Sequence, residues 1–232
     1  MGVSGEKRYS VKAIWRTLQG EGAWAGRPAV FVRFTACNMW SGYEADRERD
    51  AERNGAACPL WCDTDFTIEG ARKLTAPELA DEMLALAGDI RFCVLTGGEP
   101  FLQADGALIS SLHQAGFFVA TETNGTISLA ETFGDNPPDW VVCSPKLPAH
   151  QLVLEQMDEI KLVVPDYVPE NYAVLAERAR AHPLGSAVTK FLWVQPEDGP
   201  RLAEANELAI DLAQSNPEWR VSVQTHKVLG VE

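Results

Sequence analysis

The stretch RFCVLTGGEPFLQADGALISSLHQAGFFVATETNG, residues 91–125, reads as strand, turn, helix and strand. Apolar, strand-forming runs begin at Arg91 and at Phe117, and both end in Gly-, Thr- or Asn-containing turns. Between them Asp105 to Ala115 carries apolar residues at helical spacing behind an aspartate that suits a helix start. Working outward, further strands are predicted at VKAIWRTL from Val11, AVFVRFTA from Ala29, DWVVCS from Asp139, EIKLVVP from Glu159, KFLWVQ from Lys190 and RVSVQTH from Arg220. Helical patterns fall at Pro77 to Ala87, Pro169 to Ala181 and Arg201 to Ser215. This alternation predicts βα units and a mainly parallel sheet, hence the α/β class. Runs such as FLWV and IKLVV are apolar on both faces, as a sheet covered by helices requires.

At 232 residues the chain is expected to be a single domain, 1–232. One excursion interrupts it at about 38–61. That segment includes the charged stretch YEADRERDAERNG, read as a solvated surface segment with at most a short helix. Hydrophobic residues make up 46% and charged residues 23%, a balance that supports a sizeable core and excludes wholesale disorder. Lys plus Arg total 20 against 33 Asp plus Glu, a net charge of −13. A phosphate backbone would meet a repulsive field, so direct nucleic-acid binding is not expected and a small-molecule substrate is. No apolar run has the roughly 18 residues of a membrane span, and MGVSGEKRYS lacks a signal-peptide core, so a cytoplasmic location is expected.

In βα architectures chemistry gathers at the carboxyl ends of the strands. Cys37, Thr96-Gly97-Gly98-Glu99-Pro100, Glu122 to Gly125, Ser144-Pro145-Lys146, Gln195 to Asp198 and Gln224 to His226 all fall there. Cysteines stand at 37, 58, 62, 93 and 143. Cys93 and Cys143, inside apolar runs, are expected as packed core thiols. Cys37, Cys58 and Cys62 can hold zinc with a fourth ligand, or an iron–sulfur cluster with one iron left open, and their spacing alone does not choose. Paired glycines before Glu99 allow close backbone approach to a ligand, and a carboxylate there can accept hydrogen bonds from an ammonium group.

Together with TGGEP, the motifs TLQGEG (Thr17 to Gly22), GRPAVFVRF (Gly26 to Phe34), CNMWSG (Cys37 to Gly42), CDTDF (Cys62 to Phe66), ETNG, CSPK, VQPEDGP (Val194 to Pro200) and QTHK (Gln224 to Lys227) resemble the 7-carboxy-7-deazaguanine synthase family. That family belongs to the radical S-adenosylmethionine (SAM) enzymes of queuosine and deazapurine synthesis. The resemblance runs in order along nearly the whole chain and implies a partial, TIM-like (β/α) barrel of the radical SAM type. It points to the subgroup with an expanded cluster loop, which usually has two residues between its last two cysteines. Pro59, Leu60 and Trp61 make three here, which implies another loop path.

The resemblance further implies a [4Fe–4S] cluster on Cys37, Cys58 and Cys62, and a magnesium ion on Thr64. SAM contacts are implied at Trp61, Cys62, Asp63, Gly97, Gly98, Glu99, Ser144, Pro145, Lys146, Gln195, Pro196, Glu197 and Asp198. The implied substrate is 6-carboxy-5,6,7,8-tetrahydropterin, converted to 7-carboxy-7-deazaguanine with loss of ammonia after the cluster has cleaved SAM to a 5′-deoxyadenosyl radical. Arg33 matches the cation for the substrate carboxylate. Leu18, Gln19, Gly20, Glu21, Thr96, His226 and the terminal carboxylate of Glu232 match the pterin pocket, with Glu21, Arg33 and His226 in the catalytic role. A flavodoxin-like or other one-electron reductant and a homodimer are implied as well. A glycyl-radical activase would share the cysteines and GGEP but has no use for TLQGEG, Arg33 or QTHK. A zinc module would leave the strand-end polar groups without a task, and direct tRNA modification fits poorly with the charge.

Overall fold

The computed structural model describes residues 6–56, 62, 64–184 and 187–231. Among these, ten strands form one sheet: β1 (Tyr9–Leu18), β2 (Pro28–Phe34), β3 (Arg72–Leu74), β4 (Phe92–Gly97), β5 (Phe118–Thr123), β6 (Trp140–Cys143), β7 (Glu159–Val164), β8 (Ala181–Leu184), β9 (Ala187–Pro196) and β10 (Trp219–Val221). The helices are α1 (Arg47–Asn54), α2 (Ala76–Ala87), α3 (Gly106–Gln114), α4 (Leu129–Phe133), α5 (Ala173–Arg178), α6 (Leu202–Ser215) and α7 (Thr225–Leu229). Strand order is β10-β9-β7-β6-β5-β4-β2-β1-β3, with β8 paired to β9. The pairings from β2 through β10 along this path are parallel, while β1, β3 and β8 pair antiparallel. The sheet does not close, so the architecture is a partial barrel.

Alternation along the parallel strands separates two cores. Val30, Cys93, Leu95, Val119, Val141, Cys143, Ile160 and Leu162 face the helices and are buried with Leu79, Met83, Leu108 and Leu112. Ala29, Phe92, Val94, Ala120, Trp140 and Val142 face inward and fill the barrel floor with Trp24, Phe31, Phe118 and Phe191. A strand buried on both sides reads as the continuous apolar run seen in the sequence. Local chemistry fixes the helix starts. Thr75 and Glu78 form a capping box at α2, and the Asp105 and Ser128 side chains accept from the third residue of α3 and α4.

Several expectations change. The segment from Pro169 to Ala181 is not one helix: a 3₁₀ turn at Pro169–Asn171 precedes α5, and by Ala181 the chain is already β8. The last strand stops at Val221, and Thr225 onward turns into α7. The excursion is also more than a solvated segment. Its helix α1 buries Ala51 beside Met39, Trp40 and Phe66 in a small core of its own. Buried Asp50 accepts the Ser41 N–H at 2.7 Å, and Asn54 donates to the Met39 carbonyl at 2.8 Å.

Candidate active site

The strand ends open into a cleft of about 1110 Å³, solvent at its mouth included. One wall comes from the ends of β2 and β4 and the excursion: Cys37, Met39, Trp40, Cys62, Thr64, Phe66, Thr96, Gly97 and Gly98. The other comes from β5, β7 and the turn after β1, with Glu122, Thr123, Asn124, Lys161, Val163 and Glu21. Ser144 and Lys146 from the end of β6, Gln195 to Asp198 from the end of β9, and Gln224 complete the rim.

The glycines explain the first wall. A Cβ on Gly98 would lie 2.1 Å from the Ala36 carbonyl oxygen and 2.8 Å from Cys37 Cβ, and one on Gly97, whose φ is +136°, would lie 2.3 Å from the Phe34 carbonyl oxygen. Only glycine lets β4 end this close to the cysteine-bearing exit of β2. Cys37 Sγ accepts the Met39 N–H at 3.4 Å, and an Arg47 Nη2–H from α1 reaches the Cys62 carbonyl at 2.6 Å. Burial pushes the Cys37 thiol up to about 11, so it ionises when a metal offsets the desolvation. Among the described residues no three His, Cys, Asp or Glu side chains gather around one point. Cys58, the third expected sulfur, lies outside them, as do Trp61, Asp63 and Glu232. Cys93 and Cys143 are buried in the helix-facing core.

Glu99 differs from the expectation of a ligand-facing carboxylate. It is fully buried, off the cavity wall, and accepts from Thr123 Oγ1 (2.8 Å), Asn124 N (2.7 Å) and Phe101 N (3.0 Å). Burial raises its carboxyl to about 7 even with those donors present. Its work is to pin the end of β5 to the end of β4. Asn124 in turn donates to Asn38 Oδ1 at 2.8 Å, tying the same region to the residue after Cys37. Pro145 is buried beside the rim without lining it.

The second wall is strongly charged. Lys161 is 7% exposed at its side chain; it donates to Glu21 and lies 3.7 Å from Glu122. Gln224 Nε2 donates to Glu21 Oε1 at 2.8 Å. Burial pushes the Glu21 carboxyl up, but Lys161 and Gln224 outweigh it and hold the group down at about 2. Gln19, 5% exposed, and Thr96 reach the Glu122 oxygens only at 3.4 Å each. Glu197 lines the rim but is held by Arg201, whose Nε lies at 3.0 Å and which also binds Asp166 at 2.7 Å. Lys146 Nζ donates to Ser144 Oγ at 2.8 Å.

Arg33 is not on the cleft wall, although it pairs in register with Thr96. Its guanidinium stacks on Trp15 at 4.8 Å, and Nε is buried without a hydrogen-bond partner. Leu18 and Gly20 also stand behind the wall. The Gly20 carbonyl accepts the Thr225 N–H at 2.8 Å, and a Cβ at Gly20 would meet His226 Nδ1 at 1.8 Å. His226 therefore packs on Gly20 and acts on the cleft through its field on Glu21. The sequence reading missed Lys161, hidden in an apolar run, and assigned no role to Glu122 or Gln224. The available signal was the charge at both 159 and 161, two residues apart and so on one strand face.

No protein-family model matches the chain. It is 46% identical to the 7-carboxy-7-deazaguanine synthase of Bradyrhizobium diazoefficiens, over 96% of this chain and 99% of that protein. The chain belongs to the 7-carboxy-7-deazaguanine synthase family. The synthases of Bordetella pertussis and Burkholderia multivorans are each 43% identical over the same shares. The solved structure of QueE from Escherichia coli superposes with a TM-score of 0.65 at 25% identity, covering 94% of both chains. Family membership makes the fold a partial radical SAM barrel, and the family's [4Fe–4S] cluster and SAM find sulfur, a glycine cradle and a polar cleft together on the described residues. Among those residues no helix is long and apolar enough to cross a membrane.

Proposed function

We propose that this chain is the radical SAM lyase that converts 6-carboxy-5,6,7,8-tetrahydropterin to 7-carboxy-7-deazaguanine in queuosine synthesis. The observation that carries the reading is that Cys37, Cys62 and the Gly97-Gly98 cradle share one cleft with the Glu21–Lys161–Glu122 wall. Cys37, Cys62 and Cys58 would hold the cluster, which together with SAM supplies the radical that starts the reaction.

The chain's own residues bind and orient. Gly97 and Gly98 bring backbone against the methionine end of SAM, with Ser144, Lys146 and the Gln195 to Asp198 segment along the rest of it. Glu21 and Glu122 offer carboxylate oxygens to the amino and ring N–H donors of the pterin, and Gln19 and Thr96 support Glu122. Arg33, stacked on Trp15 behind the wall with its buried Nε unpartnered, would turn toward the cleft to give the substrate carboxylate a charge-assisted pair. Thr64, on the cleft wall, would hold a magnesium ion through its hydroxyl, and the ion would supply positive charge to the substrate carboxylate; a magnesium response unaltered in Thr64→Ala would remove it from the site. Electrons come from a flavodoxin-like or other one-electron reductant, and the working unit is a homodimer. The deciding experiment is anaerobic reconstitution with iron, sulfide and SAM, then turnover of the carboxytetrahydropterin with the product identified by mass. SAM cleavage without the deazaguanine product would overturn the substrate assignment, and colourless protein after reconstitution would overturn the radical SAM assignment.

A further inference from the structure

Strand β7 carries two charges on its inner face, Glu159 and Lys161, in a run whose outer residues Ile160, Leu162 and Val164 are fully buried. Glu159 is already satisfied: Trp140 Nε1 donates at 2.5 Å, Trp193 Nε1 at 2.6 Å and Ala23 N at 2.8 Å. Lys161 is thereby left to the two carboxylates of the cleft wall. It donates to Glu21, and its Nζ is 3.7 Å from Glu122 Oε1. A buried ammonium persists only where paired, and a carboxylate drawn out of water stays charged most easily beside a cation. Lys161 and Glu21 therefore keep one another in the charged form.

We infer that Lys161 is a positioning residue for the pterin: its ammonium, set between Glu21 and Glu122, holds the two carboxylates side by side as acceptors for the donor edge of the substrate. This rests on the substrate reading given above. Burial pulls the Lys161 amine down, but Glu122 and Glu21 outweigh it and raise it, so the group stays protonated and is no base. Other charges also bear on the trio: Glu159 acts on Lys161 from the same strand face, His226 acts on Glu21 from α7, Lys146 lines the far rim, and Arg33 stands on β2 in register with Thr96. None of these replaces a cation between the two carboxylates. With Lys161 gone, burial pushes the Glu21 carboxyl up with its main opposing charge removed, so it takes up a proton more readily and stops accepting; raising the pH restores it.

The test is equilibrium binding of the carboxytetrahydropterin to SAM-loaded, unreduced holoenzyme across pH 6.5 to 8.5 (roughly two units around the pH where a buried carboxyl titrates). Wild type, Lys161→Met and Lys161→Arg are compared, with SAM affinity and melting temperature measured for each. Lys161→Met should bind the pterin about 10- to 100-fold more weakly at neutral pH and recover as pH rises. Wild type should be flat, Lys161→Arg should follow wild type within a few-fold, and SAM affinity should hold throughout. Met and Arg variants that are equally weak and equally flat with pH would overturn the inference, because volume and not charge would then matter. Pterin affinity unchanged in Lys161→Met would overturn it too, as would a parallel loss of SAM affinity. Wild type that fails to bind the pterin overturns the substrate reading itself, whereas wild-type binding with an indifferent Lys161→Met overturns this inference alone.

Discussion

Replacing Gly98 with alanine should empty the cleft of its cofactor while leaving the sheet folded. The added Cβ would stand 2.1 Å from the Ala36 carbonyl oxygen and 2.6 Å from its carbonyl carbon, against an ordinary contact of about 3.5 Å. Neither atom belongs to a side chain that can swing aside. The Ala36 carbonyl accepts the Glu99 N–H at 2.9 Å, and the Ala36 N–H donates to the Phe66 carbonyl at 3.0 Å, so the strain must be relieved by parting the ends of β2 and β4 by about 1 Å. Overpacking of this kind costs about 1–3 kcal/mol, or roughly 2–12 °C of melting temperature in a chain of this size. Function suffers more, because Cys37 is the next residue and a displacement of about 1 Å at a reacting centre costs about 100-fold in rate. The control is Gly26→Ala, where φ is +85° but nothing lies within 4 Å of the new carbon. It carries only the left-handed backbone penalty of about 1 kcal/mol, and it bears on the cleft through the 2.7 Å bond from the Gly26 N–H to the Gln19 carbonyl and not through any steric clash. Iron content, SAM affinity and turnover are measured for both after anaerobic reconstitution. If Gly98→Ala matches Gly26→Ala in all three, the close approach of β4 to the cysteine exit has no functional role and the reasoning fails.

Cys37→Ala and Cys62→Ala should each lose the visible absorption of the reconstituted cluster and all SAM cleavage; a full iron complement in both would remove them as ligands. Arg33→Met should weaken pterin binding by about 10- to 100-fold and yet raise the melting temperature slightly, since it removes a buried Nε that has no hydrogen-bond partner. Loss of both substrate affinity and stability would instead mark Arg33 as a structural pillar. Glu21, held down at about 2 against an ordinary 4.5, contributes stability that is fully present above pH 4.5 and lost as pH falls from there toward 2. In the cluster-free protein the fall in urea midpoint over that window should be shallower for Glu21→Gln than for wild type, and parallel curves would refute the pairing with Lys161.

How much the sequence revealed depended on where each residue's partners lie. The parallel strands were legible because Cys93, Leu95 and Val119 face one core while Phe92, Val94 and Ala120 face another, which leaves an unbroken apolar run in the sequence. The short pieces were not. β3 is Arg72-Lys73-Leu74, whose strand character comes from pairing with β1 and from no propensity of its own. β8 contains Pro183 and directly follows a helical pattern, and the ladder to β9 decides it. At the site, the glycine pair and the cysteines were visible because their chemistry is local. Lys161 was not, because in a run read as apolar its meaning depends on Glu21 and Glu122, which lie far away in the chain. Glu99 shows the opposite case: a motif residue visible in the sequence whose carboxylate turns inward to Thr123 and Asn124.

The open barrel raises a question of closure that the chain's last turn answers. β1 departs antiparallel from β2 and β10 is three residues long, and among the described residues no strand pairing joins the two ends of the sheet. Contacts from α7 span that gap. Thr225 donates its N–H and its hydroxyl to the Gly20 carbonyl at 2.8 and 3.0 Å, His226 lies where a Cβ of residue 20 would be, and Lys227 pairs with Asp198 at 2.6 Å. Gln224, just before this helix, delivers its amide to Glu21. Glu21 is thus gripped from β7 by Lys161 and from the segment after β10 by Gln224, so one carboxylate ties the turn after β1 to the far side of the sheet. A short helix replaces the missing strands here, and in doing so it fixes the group that faces the cleft.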